Sequence, residues 1–189
     1  MTDFEYRDRR LFCEETSLEE IAKMTGTPCY VYSNRTILDR FDAYNLAFGD
    51  IPHTVCYAVK ANSNLALLNL LANAGAGFDI VSGGELYRVL KAGGDPRKVV
   101  FSGVGKTSDE IDFALSHNIF SFNCESEPEL ELIDSIAGER GAKARVAMRV
   151  TPDVDAATHP YISTGLREHK FGIDIAEVED VYRRGMALA

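Results

Sequence analysis

The chain has 189 residues, of which 46% are hydrophobic and 26% charged, enough to bury a substantial core in one or two domains of ordinary globular composition. A formal net charge of -9 and a pI near 4.9 exclude a sequence-independent nucleic-acid binder, which needs basic patches against phosphate. The four cysteines, Cys13, Cys29, Cys56 and Cys124, contain no Cys-x-x-Cys pair, which argues against both a zinc site and a disulfide framework.

The first residues, Met1-Thr2-Asp3-Phe4-Glu5-Tyr6-Arg7, are charged and lack the apolar region of a signal peptide, and no later stretch has the length of a membrane span. The cytoplasm is therefore the expected location. Residues 27–32, Thr-Pro-Cys-Tyr-Val-Tyr, are β-branched and aromatic and predict a strand. Ser33 then reads as the N-cap of a helix through Ile37, Leu38, Phe41 and Leu46 to Gly49.

The same alternation recurs along the chain, with strands expected at 55–59, 78–81, 99–102, 119–123 and 144–150. Leu65, Leu68 and Leu71 form the apolar stripe of an intervening helix that Gly75 ends, and a second helix runs from Glu85 to the Gly93-Gly94 stop. Ser108 is the expected cap of a third, with Ile111 and Leu115 on one face. Ser126 and Glu129 form a capping-box pattern ahead of Leu130, Ile133 and Ile136. Residues 175–189 close the chain as a last helix.

Repeated β-α units imply a parallel α/β sheet, either doubly wound or part of a (β/α)8 TIM-type barrel. Side-chain alternation favours the barrel. Cys56, Ala58 and Lys60 fall on one face of the first of these strands, and Gly77, Asp79 and Val81 share a face of the second. Ala147 and Arg149 repeat the pattern in the fifth. A face of small residues that ends in polar ones suits a constricted barrel interior with functional groups at the strand ends. Five βα units are present, against the eight of a complete barrel, so the chain is either an open α/β sheet or the front of a longer protein.

Lys60, Asp79 and Arg149 fall near the ends of three strands on that one inferred face, where a barrel assembles its active site. A lysine held among apolar neighbours is a candidate imine-forming amine, because burial disfavours the ammonium form. Solvated side chains or a structural ion pair account for the spacing equally well. Ser82-Gly83-Gly84-Glu85 reads as a tight turn with a helix cap, or as backbone N–H groups open to an anion. Gly103-Val104-Gly105-Lys106-Thr107 resembles the tail of a P-loop, but Val100 stands where that motif needs its first glycine. His159 and His169 have no metal-ligand spacing, and the polar run over residues 151–170 is a long loop of the kind that often carries function.

Tyr57-Ala58-Val59-Lys60-Ala61-Asn62, Gly77-Phe78-Asp79-Ile80-Val81-Ser82-Gly83-Gly84-Glu85-Leu86, and His159-Pro160-Tyr161-Ile162-Ser163-Thr164-Gly165 followed by Lys170-Phe171-Gly172 resemble the diaminopimelate decarboxylases. These belong to the alanine-racemase-like, fold type III, pyridoxal-phosphate-dependent decarboxylases, and the resemblance covers the chain from Thr27 onward. The lysine and Gly-Phe-Asp motifs are shared with ornithine and arginine decarboxylases; the His159 loop is the part most specific to diaminopimelate.

The resemblance implies that Lys60 carries pyridoxal 5'-phosphate as an internal aldimine, that Asp79 and Arg149 line the cofactor pocket, and that Glu85 supports them. It implies decarboxylation of meso-diaminopimelate to L-lysine, with an amino-acid substrate as the small-molecule partner and a homodimer as the working form. Residues 1–32 then carry a strand belonging to a second, β-rich domain, and residues 33–189 form a partial barrel. Family members have about twice this length, so the 189 residues alone are expected to bind the cofactor weakly or not at all.

Overall fold

A computed structural model describes residues 3–151 and 171–188. The chain divides into two compact units, Met1–Val55 and Cys56–Ala189.

The first unit opens with strands β1 (Phe4–Arg7), β2 (Arg10–Cys13) and β3 (Thr16–Ser17) in an antiparallel sheet. Arg7 pairs with Arg10, and the two residues between them, Asp8 and Arg9, both have positive φ (50° and 68°), as a two-residue hairpin with the strands' own twist requires. These strands are not among those expected from the sequence: each is at most four residues long, and the turn between the first two carries no glycine or asparagine.

Helix α1 (Leu18–Thr25) follows, capped by Ser17 accepting from the Glu20 amide, and α2 (Asn34–Phe48) starts at the expected Ser33 cap and ends at Gly49. Asp3 accepts from the Thr36 hydroxyl and Glu14 from the Arg35 amide, and the one Ser33 hydroxyl proton is shared between Glu14 at 2.8 Å and Asp3 at 3.1 Å. Two carboxylates thus cluster at the positive end of α2, where the helix dipole favours them. Residues 27–32, expected as a strand, form none. β-Branched composition favours a strand only where a neighbour completes the ladder, and among the described residues this segment has no ladder partner.

The second unit is a five-stranded parallel sheet in the order β4 (Cys56–Ala58), β5 (Gly77–Ile80), β6 (Val99–Phe101), β7 (Ser121–Cys124), β8 (Val146–Met148). Helices α3 (Leu65–Asn73), α4 (Gly83–Lys91), α5 (Ser108–Ser116) and α6 (Glu127–Glu139) lie between successive strands. Alternation decides which face they cover. Phe78 and Ile80, Val99 and Phe101, and Phe122 and Cys124 are fully or almost fully buried with Leu68, Leu86 and Ile111 of the helices. Each large side chain contributes about 1.5–3 kcal/mol on burial, and this face is the main core. On the other face Ala58, Asp79, Val100, Ser102, Ser121 and Asn123 are only half-buried.

The starts of three helices differ from the sequence reading by one to three residues. Helix α4 begins at Gly83, with Ser82 as cap, and α5 is capped by Thr107 because the Glu110 carboxylate returns to the Thr107 amide in a complete capping box. The chain continues through β9 (Val150–Thr151), which pairs in parallel with β10 (Ile173–Asp174), to α7 (Val178–Gly185). The His159 loop lies outside the described residues. Among the described residues, no helix is long and apolar enough to cross a membrane.

Candidate functional site

The ends of the parallel strands place polar groups on the half-buried face. Strand β4 stops at Ala58, and Lys60 sits on a following 3-10 turn, Val59–Ala61. It is exposed, the solvated one of the two readings the sequence left open. Its neighbour Val59 on the same turn is fully buried. Among the described residues its Nζ has no hydrogen-bond or ion-pair partner.

Asp79 pairs in register with Ala58 on the adjacent strand. Its Oδ1 accepts the Ser102 hydroxyl at 2.5 Å, and Ser102 Oγ accepts from Asn123 Nδ2 at 2.9 Å. The hydroxyl has one proton and donates it to Asp79, so the array runs in one direction from β7 through β6 to β5. Cys56 lies on the same face; burial, and then the Asp79 carboxylate, push its thiol pKa up.

Arg149, just past β8, bonds through Nη1 to both oxygens of Glu125 at 2.9 and 3.1 Å, with its guanidinium 5.4 Å from the centre of the Phe171 ring. Its Nε and Nη2 have no partner among the described residues. Thr151 donates its hydroxyl to the Phe171 carbonyl at 2.5 Å, bringing the Phe171-Gly172 segment against Arg149. Gly172 adopts φ +87°, and a Cβ there would stand 2.9 Å from the Arg149 carbonyl oxygen and from Thr151 Oγ1. Asp79 lies toward the end of β5, and Lys60 and Arg149 lie just past the ends of β4 and β8, and no ion pair joins any two of them. Arg149 faces Glu125, and Asp79 faces Ser102.

Glu85, expected to support the pocket, accepts the Val81 amide at 2.7 Å, while Ser82 Oγ accepts from the Glu85 amide. Ser82-Gly83-Gly84-Glu85 is therefore a capped turn. Glu129 repeats the arrangement after β7, accepting from the Glu125 amide while Ser126 accepts from the Glu129 amide. Glu110 closes its own box and also accepts the Gly83 amide at 2.7 Å, which joins the starts of α4 and α5. Burial works against the Glu110 carboxylate, yet the Gly83 and Thr107 amides outweigh it and hold its pKa below the ordinary value.

Lys106, dismissed with the P-loop, is a buried cation. Its side chain is 1% exposed; Nζ donates to the carbonyls of Gly103 at 2.7 Å and Asn123 at 2.9 Å, and pairs with Glu129. Cys124 beside this pair has its thiol pushed up to about 12, by burial first and then by Glu129, and is no nucleophile. Ser102 and Asn123 carried a readable signal. Each ends a predicted strand in the same side-chain parity as Asp79.

A primary amine without a partner, a carboxylate, and a guanidinium with unused donors are a donor set suited to an anionic, aldehyde-bearing cofactor. The family described as pyridoxal-dependent decarboxylase, pyridoxal binding domain, matches residues 34–188. The chain belongs to this family. It is 59% identical over 188 residues to a diaminopimelate decarboxylase of Pseudomonas aeruginosa, covering 100% of this chain and 45% of that protein. Among solved structures, it is similar to the diaminopimelate decarboxylase of M. jannaschii in co-complex with L-lysine, with TM-score 0.91 and 38% identity over 100% of this chain and 46% of that one. The Helicobacter pylori diaminopimelate decarboxylase complexed with L-lysine gives 0.87 and 46% over 91% and 44%. The chain therefore spans a little under half the length of these relatives. The five-stranded sheet with its helices is the corresponding part of their fold type III barrel, as the face alternation of the sequence implied.

Proposed function

We propose that this chain is the cofactor-binding portion of a diaminopimelate decarboxylase, a carbon–carbon lyase that converts meso-diaminopimelate to L-lysine with pyridoxal 5'-phosphate. The observation that carries the reading is the amine of Lys60, without a partner among the described residues and just past a strand end, in a chain 59% identical to a diaminopimelate decarboxylase. L-lysine in two related solved structures supports the assignment of substrate class.

In this reading Lys60 Nζ attaches the cofactor and Asp79 and Arg149 line its pocket. Pyridoxal phosphate, when bound, supplies an electron sink for the pair of electrons left as CO2 departs. Asp79 has one oxygen committed to Ser102, which leaves the other to orient a cation or a donor at the site. Arg149 is anchored by Glu125 through Nη1 and presents Nε and Nη2 to negative charge. Glu85 acts at one remove by fixing the backbone after Asp79.

The proposal includes a homodimer in the cytoplasm and a β-rich second domain joined by the segment at residues 27–32. The test is CO2 release by the full-length gene product from meso-diaminopimelate, ornithine and arginine in parallel. Release from meso-diaminopimelate alone is the expected result. Preference for ornithine or arginine assigns a sister decarboxylase, and cofactor binding without release from any of the three leaves a non-catalytic pyridoxal-phosphate protein.

A further inference from the structure

We propose that the buried Lys106–Glu129 pair is a positioning element of the cofactor site, acting on Asp79 through Asn123 and Ser102. The inference rests on the functional reading above.

The ladder between β6 and β7 ends at the Phe101–Phe122 pairing, so the residues that carry the polar array, Ser102 and Asn123, lie just past its last rung or near the end of its strand. The Ser102 amide bonds the Ile80 carbonyl of β5 at 2.8 Å, but no rung of the β6–β7 ladder joins Ser102 to Asn123 themselves. Lys106 links the two strand ends from the loop after β6, because one ammonium bonds the Gly103 carbonyl next to Ser102 and the Asn123 carbonyl on β7. Its third bond, to Glu129, ties both strand ends to the first turn of α6, and Glu129 also accepts the Glu125 amide. The ammonium lies 5.5 Å from the centre of the Phe101 ring, which fills its remaining side.

Asn123 must present Nδ2 to Ser102, since the hydroxyl proton is committed to Asp79. That directional array works only while the ends of β5, β6 and β7 keep their spacing. A shift of a few tenths of an ångström weakens two hydrogen bonds in series and frees the Asp79 carboxylate to turn. Lys106 touches neither Asp79 nor Lys60 among the described residues, so its role is to set position.

A buried ion pair of this kind also stabilises the fold, and the test must separate the two roles. In the full-length gene product, Lys106→Met with Glu129→Gln removes both charges together and leaves no unpaired ion. Pyridoxal phosphate affinity is read by titration of the bound cofactor's visible absorbance, and folding by far-UV circular dichroism and thermal midpoint. The expected result is a folded protein with at least tenfold weaker cofactor binding. Ser102→Ala is expected to give a similar loss, and combining it with the charge-free pair is expected to add little, because both interrupt one array. Glu129→Gln alone, which keeps an oxygen for Lys106, is the second variant should the double one fail to fold; its expected loss is about threefold. Wild-type affinity in a folded variant, or a loss fully additive with that of Ser102→Ala, overturns the inference. Absence of cofactor binding by the unmodified protein overturns the functional reading and this inference with it, an outcome distinct from a variant that binds as well as its parent.

Discussion

Arg149 reaches both oxygens of Glu125 with a single guanidinium nitrogen, and the partners differ in exposure: the Glu125 side chain is 3% exposed and that of Arg149 39%. The buried acid therefore depends on the arginine far more than the arginine depends on the acid. Removing Arg149 as Arg149→Met leaves a desolvated carboxylate, with an expected loss of about 2 kcal/mol measured by urea denaturation. Arg149→Met with Glu125→Gln should recover most of that stability. Cofactor affinity should remain low in both variants, since neither presents a guanidinium to the site.

Lys60 should behave in the opposite way. It is exposed and without a described partner, so Lys60→Ala is expected to change stability by no more than about 0.5 kcal/mol. The same substitution should abolish the visible absorbance of bound pyridoxal phosphate. Thermal unfolding and an absorbance titration on one preparation check both halves. A large drop in thermal midpoint would show that the lysine is structural.

Gly172 combines φ +87° with close approach to the Arg149 carbonyl oxygen and Thr151 Oγ1. A methyl group there meets backbone as well as side chain and cannot be relieved by a rotamer change alone. Gly172→Ala is expected to cost about 2 kcal/mol, the strained backbone and the contact both contributing. The measurement is the urea midpoint, with cofactor affinity expected to fall through displacement of Arg149.

Glu110 gives a pH dependence of defined sign. Its carboxyl pKa is lowered in the folded state against the cost of burial, so the folded protein binds its proton less tightly than the unfolded chain does. Its contribution is present above the ordinary glutamate value of about 4.3 and is lost as pH falls through the lower folded value. Glu110→Gln should therefore flatten the acid limb of stability below about pH 4.3. Thermal midpoints across pH 3 to 7 on both proteins would reveal it; parallel acid limbs would exclude Glu110 as a contributor.

Local chemistry made much of the parallel sheet legible. The Ser33 and Ser82 caps, the β-branched and aromatic runs around Phe78, Phe101 and Phe122, and the alternation that separates Phe78 and Ile80 from Asp79 are short-range signals, written within a turn or a strand. The N-terminal hairpin was not read, because Phe4–Arg7 and Arg10–Cys13 are only four residues each and the Asp8-Arg9 turn between them is not the usual Asn-Gly. The segment at residues 27–32 has the composition of a strand without a ladder partner among the described residues, and composition does not supply one.

The sequence alone determined that small and polar residues alternate with large apolar ones along a parallel sheet and that Lys60, Asp79 and Arg149 fall near the ends of three of its strands. Side-chain period and chain order decide those facts, and both are local properties. Only the tertiary structure decided what each group faces. It brought Ser102 and Asn123 to Asp79, turned Arg149 to Glu125, left Lys60 exposed, and buried Lys106, because strand register and the reach of side chains between βα units bring together residues 21 to 24 positions apart. No period within one element records such a separation. Lys60 is placed by a local turn after its strand, whereas the array at Asp79 draws on three strands.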